Sequence, residues 1–224
     1  MQTESVRRYY ESLKRKWASL LLKKGFDVVA SLLGLILLSP VFAVLAVWIK
    51  ADSRGPVLFR QTRVTRYGRT FRIYKFRTMV ADAESKGSQV TVQGDSRITR
   101  VGAKLRGCRL DELPQLINIL KGDMSFVGVR PEVPRYVEQY TDEMYATLLL
   151  PAGVTSQASI LYRDEQRLLD GAADPDRTYV EEVLPQKMAY NLRELASFSF
   201  WQDIRTMFRT LAAVLGESDA APPE

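Results

Sequence analysis

Hydrophobic residues are spread unevenly along the chain, and the longest apolar run comes early. Residues 28–49 form 22 consecutive positions without a charged side chain. As a helix with 1.5 Å of rise per residue, this run covers roughly 33 Å, enough to reach across a hydrocarbon core of about 30 Å. Ser39-Pro40 interrupts the run, and proline removes a helical hydrogen bond, so the helix must bend there. The run begins too late and leads too directly into Lys50 to be a cleaved signal peptide.

Basic residues flank the apolar run on both sides, and this leaves two membrane arrangements open. The flanking residues are Lys14, Arg15, Lys16, Lys23 and Lys24 before the run, and Lys50 and Arg54 after it. Positive flanks favour the cytosolic side, so a re-entrant helix that enters the bilayer, breaks at Ser39-Pro40 and returns satisfies both ends. The alternative is an ordinary kinked spanning helix, because membrane helices tolerate proline.

A second apolar pattern lies ahead of this run. Its positions recur at helical spacing and are Val6, Tyr10, Leu13, Trp17 and Leu20. The pattern predicts an amphipathic helix within residues 1–24 that lies at an anionic lipid surface, followed by the re-entrant helix over residues 25–50. A helix packed on the soluble part of the chain is the alternative.

The remaining chain predicts a small α+β domain, mostly helical, over residues 51–215. Residues 57–64 and 69–77 are rich in β-forming side chains, and residues 65–68 between them predict a hairpin turn with Gly68 at positive φ. Helical stretches are expected at 98–105, 113–120, 134–150 and 178–215, with Pro185 breaking the last of them. Its end, residues 198–215, is amphipathic and is expected to dock on the membrane or on the core. Residues 216–224 are expected to be a disordered tail.

Composition narrows the chemistry that this chain can perform. It has no histidine, which excludes Ser-His-Asp and Cys-His nucleophile systems and histidine-ligated zinc. The single cysteine, Cys108, excludes an intrachain disulfide, and we expect a buried structural thiol there. Residues 50–109 carry 15 basic and 4 acidic side chains, whereas residues 110–224 carry 10 basic and 19 acidic ones. The middle of the chain is therefore the part expected to attract anions.

An adjacent acid pair, Asp111-Glu112, lies at the end of the basic stretch. Arg106 and Arg109 precede the pair, and Arg130 follows it. An opposite charge within ~4–6 Å favours the ionised form of a carboxyl group, so we expect both acids to be ionised. Ionised carboxylates among arginines suit chemistry on phosphate. The structural alternative is that Asp111 caps the N-terminus of the helix that follows.

Four sequence strings in register carry a resemblance to a known family. After the apolar helix broken at Ser-Pro come Gly-Pro-Val-Leu-Phe-Arg-Gln (55–61), Tyr-Lys-Phe-Arg-Thr-Met (74–79), Leu-Asp-Glu-Leu-Pro-Gln-Leu (110–116) and Lys-Gly-Asp-Met-Ser-Phe-Val-Gly-Val-Arg-Pro-Glu (121–132). The chain resembles the bacterial sugar transferases, the monotopic phosphoglycosyl transferases that begin glycan assembly on polyprenol phosphate. The resemblance covers residues 20–215 and fits the short form of the family, without the multi-span N-terminal domain of some members.

The resemblance implies both a location and a reaction. It implies a re-entrant helix broken at Ser39-Pro40 and a catalytic domain on the cytoplasmic face of the bacterial inner membrane. Asp111 would attack the sugar-linked phosphate of a UDP-sugar, release UMP and hold a phosphosugar that polyprenyl phosphate then accepts. Glu112 would assist as a base or as a metal partner, and Mg²⁺ would lie beside Asp111. The phosphate-binding residues implied by the family are Lys75, Arg77, Arg106 and Arg130.

The chain departs from the family pattern in two places. Pro151-Ala152-Gly153 stands where the family usually has Arg-Pro-Gly, and Gly128-Val129-Arg130 where Gly-Pro-Arg is commoner. Because the dyad and its arginines are intact, these departures bear on the choice of sugar more than on catalysis. The sequence does not specify the sugar nucleotide, the polyprenol length, the oligomeric state or the glycan pathway.

Two functions from other classes compete with this hypothesis. One is a catalytically inactive family member that acts as a membrane scaffold for other glycan enzymes, such as downstream glycosyltransferases. The other is a membrane-tethered nucleic-acid-binding protein, suggested by the basic middle of the chain. Nucleic-acid binding assigns no role to Asp111-Glu112, so nucleic acid is not an expected partner.

Overall fold

A computed structural model describes residues 3–83, 95–162, 168, 169, 172 and 174–214, and within these ranges the chain begins with three consecutive helices. They are α1 (Glu4–Arg15), α2 (Trp17–Leu37) and α3 (Ser39–Asp52). The following part alternates helices with short strands: β1 (Leu58–Val64), β2 (Thr70–Phe76), α4 (Arg100–Gly107), α5 (Gln115–Leu120), β3 (Met124–Val127), α6 (Pro134–Val137), β4 (Ala152–Thr155), α7 (Gln157–Leu161), α8 (Pro175–Thr178), α9 (Leu184–Ala196) and α10 (Phe200–Val214). The predicted α+β class with mostly helical content is confirmed.

Strands β1 and β2 form the predicted antiparallel hairpin. The pairing runs from Leu58 opposite Phe76 to Val64 opposite Thr70. The turn uses positive φ at two residues, Tyr67 at 59° and Gly68 at 75°, which matches the twist of a tight hairpin. Phe71 and Ile73 lie on one face of β2 and pack into a core, as strand alternation requires.

Strands β3 and β4 form a second, parallel pair that the sequence analysis did not predict. Met124 lies opposite Ala152, and Val127 lies opposite Thr155. Just beyond β3 the two backbone segments approach so closely that a Cβ on Gly153 would lie 2.1 Å from the Gly128 nitrogen. Glycine is therefore required at Gly153. Residues 151–153, where the sequence departs from the family pattern, include the first two residues of β4 and so belong in part to this strand pair.

Helix α1 corrects two expectations about the N-terminus. Val6 and Leu13 are buried against Leu149, Leu195 and Phe198 rather than facing outward. The expected lipid-facing stripe is therefore wrong for those two residues, because the domain itself covers them. The helix break lies at residue 16, and α2 runs without interruption through residues 24 and 25, where the predicted boundary stood.

Helices α2 and α3 form a bent pair with an apolar exterior. No single helix in the described ranges has the length and apolarity to cross a bilayer; the two together do by length and composition, with a 61° bend between them. The break at Leu38, directly before Ser39-Pro40, confirms the predicted interruption. Exposed apolar side chains cover both helices: Leu21, Leu22, Val28, Val29, Leu32, Leu33, Ile36, Leu37, Val41, Val44, Val47 and Trp48.

One narrow face of α2 is polar and buried. Lys23, Asp27 and Ser31 recur every fourth residue, so they share one side of the helix, and all three are buried against the domain. Lys23 donates to the Val127 carbonyl at 2.7 Å, and the Phe126 N–H donates to Asp27 Oδ1 at 3.2 Å. Lys23, counted from the sequence among the basic residues that flank the apolar run, thus has its ammonium bound inside the protein.

The C-terminal half is less continuously helical than predicted. Within residues 134–150 the chain forms only α6 and a 3₁₀ segment, Met144–Leu149. A π-helical turn, Tyr179–Val183, joins α8 directly to α9, so the chain stays helical across Pro185. The predicted stretch is interrupted instead at residues 197–199, between α9 and α10. Helix α10 buries Thr206 and Ala213 and exposes Trp201 and Phe208. The predicted tail over residues 216–224 lies outside the described residues.

Candidate active site

The Asp111-Glu112 dyad lies in a single 3₁₀ turn, Leu110–Glu112, between α4 and α5. Arg109, directly before this turn, has a left-handed backbone with φ of 56°. A residue with a Cβ is strained there by roughly 1–2 kcal/mol, and such strain concentrates at functional sites. The strained residue reverses the chain after α4 and presents the two carboxylates together.

Two cations hold Glu112. Its Oε1 atom accepts a hydrogen bond from Lys75 Nζ at 2.9 Å and another from Arg130 Nη2 at 2.8 Å. Burial alone would raise the pKa of Glu112, but the charges of Arg130 and Lys75 outweigh it and hold that pKa well below its ordinary range. The expectation of an ionised carboxylate is thus supported for Glu112.

Asp111 behaves differently from its neighbour. Its side chain is buried, and burial together with the adjacent charge of Glu112 raises its pKa against the opposing effect of Lys75. Arg106 and Arg130 do lower the pKa of Asp111, but desolvation is the larger effect, so the net shift is upward and not downward as the sequence suggested. The pKa values of two adjacent acids are thus shifted in opposite directions, upward for Asp111 and downward for Glu112. Such a difference allows the two carboxyl groups of a pair to take different chemical roles.

Arg106 completes the group of charges around the dyad. It extends from the last turn of α4, and its Nε donates to Thr78 Oγ1 at 3.2 Å. Burial lowers the pKa of Arg106, and Asp111 is the foremost charge that opposes this effect. We call Lys75, Arg106, Asp111, Glu112 and Arg130 the dyad cluster.

The structure does not bring Arg77 into the dyad cluster. The Arg77 guanidinium donates to the carbonyls of Ser53 and Arg54 at 2.7 and 2.8 Å, and to Ser53 Oγ at 2.9 Å. Gly55 next to them has φ of 126°, and a Cβ there would lie 2.0 Å from Arg77 Nη1. This corrects the expected phosphate-binding position of Arg77: its donors join β2 to the end of α3.

Cys108 is also placed differently from the expectation. It caps the C-terminus of α4 and is exposed. The expected buried thiol is therefore wrong, since only one face of this short helix packs on the domain and Val101, Gly102 and Leu105 occupy it.

Glu132 supports the segment that carries Arg130, and the sequence analysis gave it no role. Its buried carboxylate accepts a hydrogen bond from the Tyr179 hydroxyl and lies 3.9 Å from Lys187 Nζ and 4.0 Å from an Arg63 nitrogen. Its carbonyl accepts from the Val64 N–H at 2.9 Å. The Arg-Pro-Glu string was visible in the sequence, but the partners come from distant elements.

The donors at the dyad fit a metal ion only if a ligand shares it. The Asp111 carboxylate is a suitable oxygen donor for Mg²⁺, whereas Glu112 Oε1 is already bound by two cations. In the part of the chain that the structure describes, no three acidic or cysteine side chains are grouped as a metal site. Mg²⁺ characteristically takes one or two carboxylates plus substrate phosphates, so Asp111 with a diphosphate is a plausible set.

Comparison with known proteins shows the family to which the chain belongs. The profile of the bacterial sugar transferase family matches residues 18–217, and the chain belongs to that family. It is 39% identical over 198 residues to a UDP-N-acetylgalactosamine-undecaprenyl-phosphate N-acetylgalactosaminephosphotransferase of Aeromonas hydrophila, covering 87% of this chain and 44% of the relative. It is 36% identical over 201 residues to a UDP-glucose:undecaprenyl-phosphate glucose-1-phosphate transferase of Caulobacter vibrioides, covering 88% and 71%.

Relatives differ in how much of their length this chain represents. An exopolysaccharide production protein of Rhizobium leguminosarum is 36% identical over 204 residues, which cover 88% of this chain and 96% of that relative. The chain therefore spans less than half of the Aeromonas protein but nearly all of the Rhizobium protein.

Proposed function

We propose that this chain transfers a sugar 1-phosphate from a UDP-sugar to undecaprenyl phosphate, a first membrane step of glycan assembly. The observation that carries the proposal is the difference between the two acids of the dyad. Asp111 is buried with a raised pKa, whereas Glu112 accepts hydrogen bonds from Lys75 and Arg130. The printed activities of the Aeromonas and Caulobacter relatives support the same reaction class.

In the first step Asp111 acts as the nucleophile. A carboxylate oxygen forms a bond to the sugar-linked phosphorus of the UDP-sugar, and the bond from that phosphorus to the bridging oxygen breaks. UMP leaves with the bridging oxygen, and an aspartyl phosphosugar remains on the enzyme. The raised pKa favours this role, because nucleophilicity increases with basicity. The cations of the dyad cluster offset the charge that develops on phosphate oxygens.

In the second step undecaprenyl phosphate attacks the same phosphorus. A phosphate oxygen of the lipid forms the new bond, the bond to Asp111 breaks, and undecaprenyl-diphospho-sugar leaves with Asp111 regenerated. A phosphate monoester is already largely ionised near pH 7, so this attack needs no strong base. Glu112, with its depressed pKa, is a poor base, and we assign it the role of holding Lys75 and Arg130 at the reacting phosphate.

A divalent cation has a defined place in this scheme. When bound beside Asp111, Mg²⁺ neutralises the diphosphate and lowers the repulsion between two anionic substrates. Arg106 and Arg130 orient the same phosphates through their planar donor groups.

The helix pair α2–α3 is the proposed membrane element. Its apolar exterior and 61° bend suit a re-entrant hairpin that returns to the cytoplasmic face of the inner membrane. Trp201, Phe208, Leu211 and Val214 expose a further apolar face on α10, which suits contact with the bilayer interface. This placement lets a soluble UDP-sugar and a lipid phosphate at headgroup level reach one nucleophile.

The experiment that tests the proposal measures nucleotide release. Purified protein in lipid nanodiscs receives Mg²⁺, undecaprenyl phosphate and a panel of UDP-sugars, and UMP is quantified. Asp111→Asn tests the nucleophile, and Asp142→Asn, the same change at an exposed position outside the dyad cluster, is the matched control. We expect UMP with at least one donor from wild type and from Asp142→Asn, and none from Asp111→Asn.

Other outcomes would overturn parts of the proposal. Release of UDP would mean that the sugar moves without its phosphate. UMP release by Asp111→Asn at the wild-type rate would remove Asp111 as the nucleophile. No nucleotide release across a broad panel would favour the inactive scaffold. Single cysteines at Ser5 and at the exposed Arg54, next to Gly55, in a Cys108→Ser background test the hairpin. Labelling of either from the periplasmic side contradicts a re-entrant path.

A further inference from the structure

The side chain of Asn118 is fully buried and is bonded to the backbone of strand β2. Asn118 lies on α5 and has 0% of its surface exposed. Its Oδ1 atom accepts the Tyr74 N–H at 2.9 Å, and its Nδ2 atom donates to the Arg72 carbonyl at 2.8 Å. One amide group thus satisfies a donor and an acceptor that lie two residues apart on one strand edge.

This contact replaces a neighbouring strand. In an antiparallel pair, alternate residues direct their N–H and C=O groups away from the partner strand. β1 covers one edge of β2, and the Asn118 amide binds two of the groups on the other edge. A buried backbone group left without a partner costs about 1–3 kcal/mol, so the amide has a large effect on where this edge can lie.

The strand held by Asn118 carries a member of the dyad cluster. Lys75 directly follows Tyr74, and its Nζ lies 2.9 Å from Glu112 Oε1. Glu112 itself lies only six positions before Asn118, in the turn that leads into α5. A single short segment therefore holds the carboxylates at its start and, at its end, the backbone that carries their lysine.

We infer that Asn118 is a positioning residue that sets where Lys75 meets Glu112, acting through strand β2 without touching the substrate. For its activity readout this inference rests on the proposed function. Misplacement of a charged group by about 1 Å can cost roughly 10²-fold in rate. Asn118→Leu, of similar volume and without either hydrogen bond, is expected to lower kcat for UMP release by about 10²-fold.

A double-mutant cycle with Lys75 tests whether Asn118 acts through the lysine. Lys75→Gln removes the cation, after which the position of β2 should have little further effect on catalysis. The double variant Asn118→Leu/Lys75→Gln is therefore expected to be within about twofold of Lys75→Gln alone. Effects that multiply in the double variant would overturn the inference, because they would mean that Asn118 supports the fold independently of Lys75.

A second readout needs no substrate. Amide hydrogen exchange at Tyr74 is expected to be faster in Asn118→Leu than in wild type, while exchange on the β1-facing edge of β2 changes less. Asn191→Leu is the matched control, because Asn191 is also buried but its amide donates to Met188 within its own helix. It is expected to leave both Tyr74 exchange and kcat within about twofold of wild type.

A conservative variant keeps the test decisive if Asn118→Leu does not fold. Asn118→Asp retains the acceptor for the Tyr74 N–H but places an oxygen against the Arg72 carbonyl, and we expect about a tenfold loss in kcat. Wild-type kcat in every folded Asn118 variant, or unchanged Tyr74 exchange, would overturn the inference. If the wild type releases no UMP but Tyr74 exchange is faster in the variant, the proposed function is overturned. The contact of the Asn118 amide with the backbone of β2 is then still supported.

Discussion

Two buried clusters of charge in this protein contain similar residues but are balanced in opposite ways. The dyad cluster holds three cations around two carboxylates. The second, which we call the anchor cluster, consists of Lys23, Asp27, Glu194 and Asp203, with one buried cation among three acids and the exposed Arg209 acting on Glu194 from outside. The dyad cluster has more cations than carboxylates, which suits an anionic substrate, whereas the anchor cluster has more carboxylates than buried cations.

Ion pairing, a backbone hydrogen bond and protonation compensate the excess of acidic side chains in the anchor cluster. Lys23 pairs with Asp203 at 2.5 Å, and the Gln157 N–H donates to both Glu194 oxygens at 3.1–3.2 Å. Burial, reinforced by the charge of Asp203, raises the pKa of Glu194 to about 7, so a proton can supply the missing charge. Lys23, Glu194 and Asp203 line a small cleft between β3, α9 and α10, together with Asn191. Burial and charge are common to both clusters, so the sign of the surplus charge is what distinguishes the proposed catalytic site from the anchor cluster.

The largest expected effect comes from breaking the dyad cluster at its nucleophile. Asp111→Asn should lower UMP release by at least about 10³-fold, because Glu112, the other carboxylate of the cluster, is held by Lys75 and Arg130 and has a depressed pKa. Unlike Asp203→Asn below, it should not lower the unfolding temperature, since it replaces a buried carboxylate with a neutral group of the same shape. Activity assays and thermal unfolding in nanodiscs measure the two quantities; a lower unfolding temperature would assign Asp111 a structural role as well.

Breaking the anchor cluster should have the opposite signature. Asp203→Asn removes the direct ion-pair partner of the buried Lys23 ammonium and leaves only the more distant charges of Asp27 and Glu194. This change should cost about 3 kcal/mol and lower the unfolding temperature by about 6–12 °C. UMP release per folded molecule should stay within about twofold of wild type at low temperature. The double variant Lys23→Leu/Asp203→Leu removes both charges and should recover much of the lost stability. A loss of turnover without a loss of stability would contradict the distinction between the clusters.

Weakening one cation of the dyad cluster should give an intermediate effect. Arg130→Gln removes a charged hydrogen bond to Glu112 and should lower kcat/KM by about 10- to 100-fold. The depressed pKa of Glu112 should also rise toward its ordinary value, so activity should be lost at a higher pH on the acid side than in wild type. A pH–rate profile checks this shift, and an unchanged acid limb would mean that Glu112 does not depend on Arg130.

The smallest expected effect sharpens the comparison through pH. The pKa of Glu194 is about 7 in the folded protein against 4.5 ordinarily, so the folded state binds the proton more tightly. This contribution to stability is fully present below pH 4.5 and decreases as the pH rises toward 7. Glu194→Gln should remove up to about 1.4 kcal/mol of that pH dependence for each pH unit between these values, or about 3–6 °C per unit. Parallel unfolding curves for variant and wild type would show that Glu194 does not titrate there.

Features set by neighbouring residues were predictable from the sequence. The β1–β2 hairpin follows from alternation around a short turn, and the bend at Ser39-Pro40 follows from proline itself. The charges around Asp111-Glu112 lie within a few positions of the pair, so the dyad could be singled out. Its two pKa shifts could not, because desolvation depends on the packing of distant elements around each carboxylate.

Features that join distant elements escaped prediction. β3 and β4 are four residues each, and their parallel pairing depends on a long connection rather than on a local turn. Arg77 follows Lys75 closely along β2, yet it binds the end of α3 instead of the dyad. Asn118 looked like an ordinary helical residue, since its two partners lie more than forty positions earlier.

The polar face of α2 also has a consequence for how the molecule is assembled. The partners of Lys23 and Asp27 lie at Phe126, Val127 and Asp203, so they are synthesised about 100 and 180 residues later. A nascent α2–α3 segment placed in lipid by itself would turn an ammonium and a carboxylate toward hydrocarbon, at a cost of a few kcal/mol for each. In the membrane placement proposed above, the segment cannot be inserted stably by itself, because the domain first has to cover this face.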